Sequence, residues 1–555
     1  CKEESIRFIY SYFALYGDPL MDREIDPFPE GLLKQYASLG INGVWLQGVL
    51  YQLVPYPFAP ELSLGWEKRL EALNDLVRRA GKYGIGVYLY LNEPRSLPVE
   101  RLSEFPHLRG HVNQSSGLAS LCTSAKEVQE YLFNAAFELF SRVPGLAGFF
   151  TITRSENQTN CYSHTTKKTC TCPRCSLREP YEVIAEVNNL LAAGAKKANS
   201  SSRAIAWSWG WLPEQMQQAL EAVDKSIIFQ STSETYKRYK ICGTGGTVND
   251  YSISIPGPGE WAKDNWKLAS QSGHECCAKV QLNTTWENCN VPFIPVFELV
   301  AEHINGLKQA GVKHFMLSWT LGGAPSPTMK MVSYLLDKPN TDDSDVEKFI
   351  EEQYGEALSP VVQQAQLIFS SAFREFPFHI GVVYNSPQSS GPKSPFFPEP
   401  TNYRATMVGL PYDDLDGWRS IYPEEIFEFQ FKALCDKWSY GLGLLKGWKG
   451  EKHALYDELV NVAEGCLVCF RTNYHLIRFT RIRNDMLIRK TNDRIPEIIA
   501  ILEAEEHNVL DTIRLQSADS RIGFEATNQY NFCRNDLEEK LLNIAYCMRY
   551  YNNLK

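Results

Sequence analysis

Three glutamates and four cysteines in this chain have the types and spacing to do chemistry. Glu156 stands in SENQTNCYSH (155–164), directly after the apolar run GLAGFFTIT (145–153). Glu287 closes NTTWE (283–287), and Glu93 stands in Asn92-Glu93-Pro94. A carboxyl group can give or take a proton. Two of them on opposite sides of one bond can break it, one protonating the leaving oxygen and the other attacking or activating water. The cysteines follow Glu156 closely: Cys161, Cys170, Cys172 and Cys175 read C-x8-C-x-C-x2-C. Four thiolates at this spacing suit a tetrahedral structural Zn²⁺, with C-x2-C as the knuckle and His164 as a substitute ligand; two disulfides are the other reading. A closed four-ligand site leaves no open coordination position, so no cofactor is expected in catalysis.

The elements that must position these residues are legible in the hydrophobic periodicity. Eight β-rich runs alternate with helical patterns: 6–15, 41–50, 85–91, 145–153, 204–211, 226–232, 278–287 and 313–323. That alternation predicts an α/β fold, a (β/α)8 TIM barrel over 1–340. The run 291–300 carries two prolines, Pro292 and Pro295, and then apolar residues at helical spacing, so it reads as a loop and a helix that takes Glu298. Beyond the barrel the patterns are helical, predicting an α-helical C-terminal domain over 341–555. Its polar loops around 411–422 and 521–532 either offer Asp413, Asp414, Trp418, Glu525 and Asn528 to the barrel mouth or cap helices.

Barrel sites lie at the C-terminal ends of the strands. There the sequence supplies Asn92 and Glu93 on strand three, Glu156 and Asn157 on strand four, and Trp207, Trp209 and Trp211 on strand five. Gln230 and Glu234 follow on strand six, Asn283, Trp286 and Glu287 on strand seven, and Ser318 and Trp319 on strand eight. Strands four and seven face each other across an eight-stranded barrel, so Glu156 and Glu287 can point at one another. Carboxylates among tryptophans suggest a carbohydrate site, in which flat rings stack on apolar sugar faces while the carboxylates handle protons. Aromatics make up 12% of the chain, 12 of them Trp, which leaves enough for both cores and such a site. The net charge of -9, without a Lys/Arg block, argues against nucleic acid as a partner. No apolar run approaches the ~18 residues of a membrane-spanning helix. Cys1 ahead of a short polar spacer has the form of a lipid-anchored, exported protein of the periplasm or outer membrane of a Gram-negative bacterium.

The strand-four and strand-seven glutamates resemble those of the large clan of retaining TIM-barrel glycosidases. Through SENQTNCYSH, CPRC, WSWGW, NTTWE, LSWTLGG and RIGFEATNQY, the whole chain is similar to exported barrel-plus-helical-domain glycosidases of gut Bacteroidetes. The helical domain resembles those of α-glucuronidases and hexosaminidase relatives. The resemblance implies a retaining, exo-acting hydrolase of oligosaccharides or glycans, with Glu156 as acid/base and Glu287 as nucleophile. The clan usually places Asn before its acid/base, whereas Ser155 precedes Glu156; the Asn-Glu-Pro form stands at Glu93, which takes that role if the strand count shifts by one. β-N-Acetylhexosaminidases use an acidic pair near strand four and let the substrate's acetamido group attack, but no such pair flanks Glu156. The non-enzyme alternative is a surface glycan-binding lipoprotein on a decayed barrel.

Overall fold

The computed structural model describes residues 5–13, 17–339, 341–525 and 529–554; Cys1, the expected anchor position, and Asn528 lie outside them. Eight parallel strands close into a barrel: β1 (Arg7–Ile9), β2 (Gly43–Gly48), β3 (Gly86–Leu91), β4 (Gly148–Ile152), β5 (Arg203–Trp207), β6 (Ile228–Thr232), β7 (Cys276–Lys279) and β8 (His314–Met316). Each pairs with its neighbours in sequence, and β8 closes on β1 with Arg7 opposite Phe315. Alternation along the strands sorts the side chains. Phe8, Trp45, Tyr88, Tyr90, Phe150, Ile205, Ile228, Cys277 and Met316 fill the lumen. Ile9, Val44, Val87, Leu89, Phe149, Ala206, Phe229, Ala278 and Phe315 pack outward in the core shared with the helices.

The strands are shorter than the apolar runs because the polar ends of those runs leave the ladder as loops at the mouth. β7 ends at Lys279, well short of Glu287. The outer ring is α1 (Glu30–Ser38), α2 (Trp66–Gly81), α3 (Lys126–Arg142), α4 (Pro180–Ala198), α5 (Met216–Ala222), α6 (Glu260–Gln271), α7 (Phe297–Gln309) and α8 (Pro327–Asp337). α4 starts on Pro180 behind a Glu179–Glu182 capping box, which satisfies its first amides. Glu298 lies on α7, lining an outer groove with Lys237 and Arg374.

Long helices follow: α9 (Asp343–Tyr354), α10 (Ser359–Phe373), α11 (Glu424–Lys446), α12 (Ala454–Arg489), α13 (Ile495–Ala518) and α14 (Arg534–Asn552). They pack around Trp438, which stacks on Phe369 at 4.5 Å and donates its indole N–H to the Ala463 carbonyl at 2.8 Å. The loop after β7 is stitched into this helical part: Asn290 donates to the Gln388 carbonyl at 2.6 Å and accepts from Asn531 at 2.8 Å. The 411–422 loop is structural, with Asp413 paired to Arg483 at 2.8 Å, Asp414 capping Gly417 at 3.2 Å and Trp418 fully buried. Cys276, Cys277 and Cys289 are buried free thiols. Among the described residues, no helix is long and apolar enough to cross a membrane.

Candidate active site

β4 runs out at Ile152, and the chain turns at Ser155 with φ 75°, a left-handed conformation that L side chains seldom adopt. The turn is held from both sides. The Ser155 N–H donates to the Ser163 carbonyl at 2.9 Å, and His164 Nε2 donates to the Ser155 carbonyl at 2.6 Å. Ser155 also packs on Gly210 of the β5 loop, where an added Cβ would lie 2.8 Å from Ser155 Oγ. This turn leaves Glu156 exposed at the mouth, near the Trp209 side chain. Partial desolvation pushes the Glu156 carboxyl up, while Trp209 and His164 pull it down. Asn157 lies near the Tyr90 hydroxyl.

A second carboxylate at this mouth was not found from sequence. Asp250 follows a hairpin of Arg238–Ile241 and Thr244–Thr247, whose turn residues Cys242 and Gly243 both have positive φ, 47° and 85°, as a type I′ turn requires. The hairpin lifts the chain off β6 and returns Asp250, half-buried, toward Glu156. Burial pushes the Asp250 carboxyl up to about 6; the Lys279 charge opposes this and the Glu156 charge adds to it. Lys279 ends β7, fully buried, with Nζ 3.3 Å above the Tyr251 ring and 3.0 Å from Gln281 Oε1. Burial pushes it down to about 8, while Asp250 and Glu234 hold its proton on, so it is a cation at neutral pH. Burial pushes Glu234 up to about 8 against that same cation. Tyr384, from the helical part, is within range of the charges of both Asp250 and Glu156. The usable signal was the Gly-rich GTGGTVND itself, a hairpin ending on an acid within the sixth βα excursion.

The aromatic residues divide. Trp319 stacks on Trp45 at 5.1 Å and meets Trp207 edge-on at 5.3 Å, capping the lumen. Trp207 is only 4% exposed and donates to Thr232 Oγ1 at 3.2 Å, so it supports the floor, while Trp209 and Trp319 are half-buried and face the opening. Trp286 is half-buried against Tyr251 and Leu321, forming the β7 side of the wall.

Four expected site residues are buried and engaged in contacts of their own. Glu287 has no exposed surface, and both its oxygens are taken: by Ser252 Oγ (2.8 Å), Ile253 N (2.7 Å), Ser254 N (3.2 Å), Ser254 Oγ and Thr285 Oγ1 (2.6 Å). Burial pushes its carboxyl up against the pull of these donors. A carboxylate so enclosed fastens the β7 loop to 252–255 and has no free lone pair aimed at a substrate. Asn283 is likewise spent, donating to the Gly322 and Ala324 carbonyls at 2.9 and 2.7 Å and accepting from Ser326 at 2.6 Å. Glu93, 2% exposed, accepts from the Leu50 N–H at 2.7 Å and the Arg95 N–H at 3.1 Å, tying the β2 and β3 loops together. Its neighbour Asn92 is fully buried and donates to Tyr90 Oη at 2.9 Å.

Burial pushes Glu93 up to about 7 against the Arg95 charge and the two amides. The folded protein thus holds a proton that the unfolded chain releases above about 4.3, so this residue makes stability fall as pH rises from there to about 7. Glu93→Gln is expected to remove that fall. The unfolding free energy of the variant minus that of the wild type should rise across this window in denaturant titrations, and parallel pH profiles would refute the assignment.

The cysteines regroup. The Sγ atoms of Cys122, Cys161, Cys172 and Cys175 all lie within 4.8 Å of one another, so Cys122 takes the place expected of Cys170. Cys122 follows the strand Leu118–Leu121 in the third βα excursion, whose three-stranded sheet carries it beneath the fourth. Cys170 packs half-buried against the four without joining them, and His164 is engaged with Ser155.

No protein-family model and no curated protein matches the chain. Solved structures do. A GH138 enzyme targeting pectin rhamnogalacturonan II matches over 99% of this chain and 84% of its own, at 10% identity and TM-score 0.54. The family 89 glycoside hydrolase of Clostridium perfringens, in complex with its substrate GlcNAc-alpha-1,4-galactose, matches over 99% of this chain at 10% identity and TM-score 0.56; the chain spans 64% of that enzyme. The same enzyme with PUGNAc gives TM-score 0.55 at 10% identity, over 100% of this chain and 64% of its own. At this identity the likeness is one of fold: a barrel and helical part arranged as in these glycoside hydrolases.

Proposed function

We propose that this chain is a glycoside hydrolase whose catalytic pair is Glu156 and Asp250, with Glu156 protonating the leaving oxygen and Asp250 attacking the anomeric carbon or activating water. The reading rests on a second carboxylate, Asp250 in the β6 excursion, lying within range of the Glu156 charge, together with the half-buried rings of Trp209 and Trp319. Hydrolysis of a glycosidic bond needs one protonated and one ionised carboxyl group. Lys279 favours ionised Asp250, and protonating Glu156 removes one of the two causes that raise it. Glu156 is given the donor role from its place just beyond the end of the fourth strand, and Asp250 the other. The shared fold of the GH138 and GH89 structures supports the reading without supplying the sugar.

The test is turnover of nitrophenyl glycosides and of host and plant glycans. Asp250→Asn is expected to lower kcat on any cleaved substrate by roughly 10²–10⁴-fold in a variant shown by circular dichroism to be folded. Near-wild-type turnover would overturn the pair, and a wild type that binds glycans without cleaving any would favour the binding-protein alternative. The anomeric form of the first product, read by NMR, separates attack from water activation.

A further inference from the structure

The structure assigns a tetrahedral zinc site to Cys122, Cys161, Cys172 and Cys175, joining the third and fourth βα excursions at the base of the loop that presents Glu156. The four sulfurs are buried and converge on one point. Cys122 Sγ lies 3.5 Å from Cys172 Sγ and 3.6 Å from Cys175 Sγ. Zn–S bonds of about 2.3 Å set tetrahedral edges of about 3.8 Å, whereas a disulfide needs about 2.05 Å. Near-equal spacing of one sulfur from two others is the pattern of a shared centre, not of a pair.

The surroundings are built for thiolates. The His111 N–H donates to Cys161 Sγ at 3.3 Å, the Cys175 N–H to Cys172 Sγ at 3.4 Å across the C-x2-C knuckle, and Arg174 Nε to Cys122 Sγ at 3.3 Å. Such outer donors orient the ligands and partly balance their charge. Gly110 completes the cradle, because a Cβ there would lie 2.5 Å from Cys161 Sγ. An all-thiolate tetrahedral set selects zinc over oxygen-seeking cations. Four protein ligands leave no open position, so the ion's role is structural. It would anchor Cys161, while Asn160 donates to the Thr153 carbonyl at 2.6 Å and accepts from the Tyr162 N–H at 2.8 Å, fixing the turn that ends in Glu156.

The test needs no enzymatic activity, so it stands apart from the proposed function. The full chain, purified without chelators, should contain one zinc per chain by mass spectrometry, with a sulfur-only shell at about 2.3 Å in X-ray absorption. Cys170→Ser should keep the zinc and Cys122→Ser should lose it. Should Cys122→Ser fail to fold, the absorption shell of the wild type and the zinc content of Cys170→Ser carry the test. Two disulfides among the four cysteines, iron in place of zinc, or a zinc lost from Cys170→Ser would each overturn the assignment.

Discussion

Glu156→Gln is expected to lower kcat on a natural glycan by roughly 10²–10⁴-fold while leaving the melting temperature near that of the wild type. The stability half follows from exposure: the side chain is at the surface of the mouth near Trp209, and an amide is as well solvated there as a carboxyl group. The rate half follows from the missing proton. A sugar or alcohol leaving group must be protonated as the bond breaks, whereas a dinitrophenolate leaves unaided. The variant should therefore lose much less on dinitrophenyl glycosides than on glycans. Its pH profile on the activated substrate carries a second signature. Glu156 is already neutral in the active form, so a neutral amide should leave the acidic limb, where Asp250 must ionise, in place and remove any basic limb set by loss of the Glu156 proton. Equal losses on both classes of substrate would sink the role of Glu156 as proton donor.

Glu287→Ala is expected to cost on the order of 3 kcal/mol or more of stability, measured by denaturant unfolding. The side chain is wholly buried, and its removal strands the Ile253 and Ser254 amides together with the hydroxyls of Ser252, Ser254 and Thr285. Each stranded buried donor costs about 1–3 kcal/mol, offset where a hydroxyl rotates to another acceptor or water enters. Glu287→Gln should cost less, since its one oxygen still accepts while its NH₂ opposes the amides. The folded Gln variant should retain turnover within about tenfold of wild type. A variant with unchanged stability and abolished turnover would return Glu287 to the nucleophile's place. The prediction thus separates a carboxylate that holds the β7 loop from one that does chemistry, which strand position alone does not distinguish.

What the sequence by itself determined is what short-range periodicity encodes. Six of the eight strands lie within their β-rich runs, β5 starts one residue early at Arg203, β7 overlaps its run only at Ala278 and Lys279, and the helix carrying Glu298 begins where two prolines end a loop. Glu156 is at the end of the fourth strand because strand alternation stops at Ile152 and small polar residues begin. Tertiary structure alone decided which groups meet Glu156. Those partners ride on long excursions whose paths depend on contacts between loops far apart in the chain. NTTWE sits at the right strand but turns inward, because hydroxyls and amides from 252–255 capture Glu287. Asp250 reaches the mouth only because a hairpin folds the β6 excursion back on itself. Cys122 joins Cys161, Cys172 and Cys175 only because a small sheet in the third excursion slides beneath the fourth. Hydrophobic period locates the ends of strands, but a loop's course is set by polar groups finding partners once the barrel has closed.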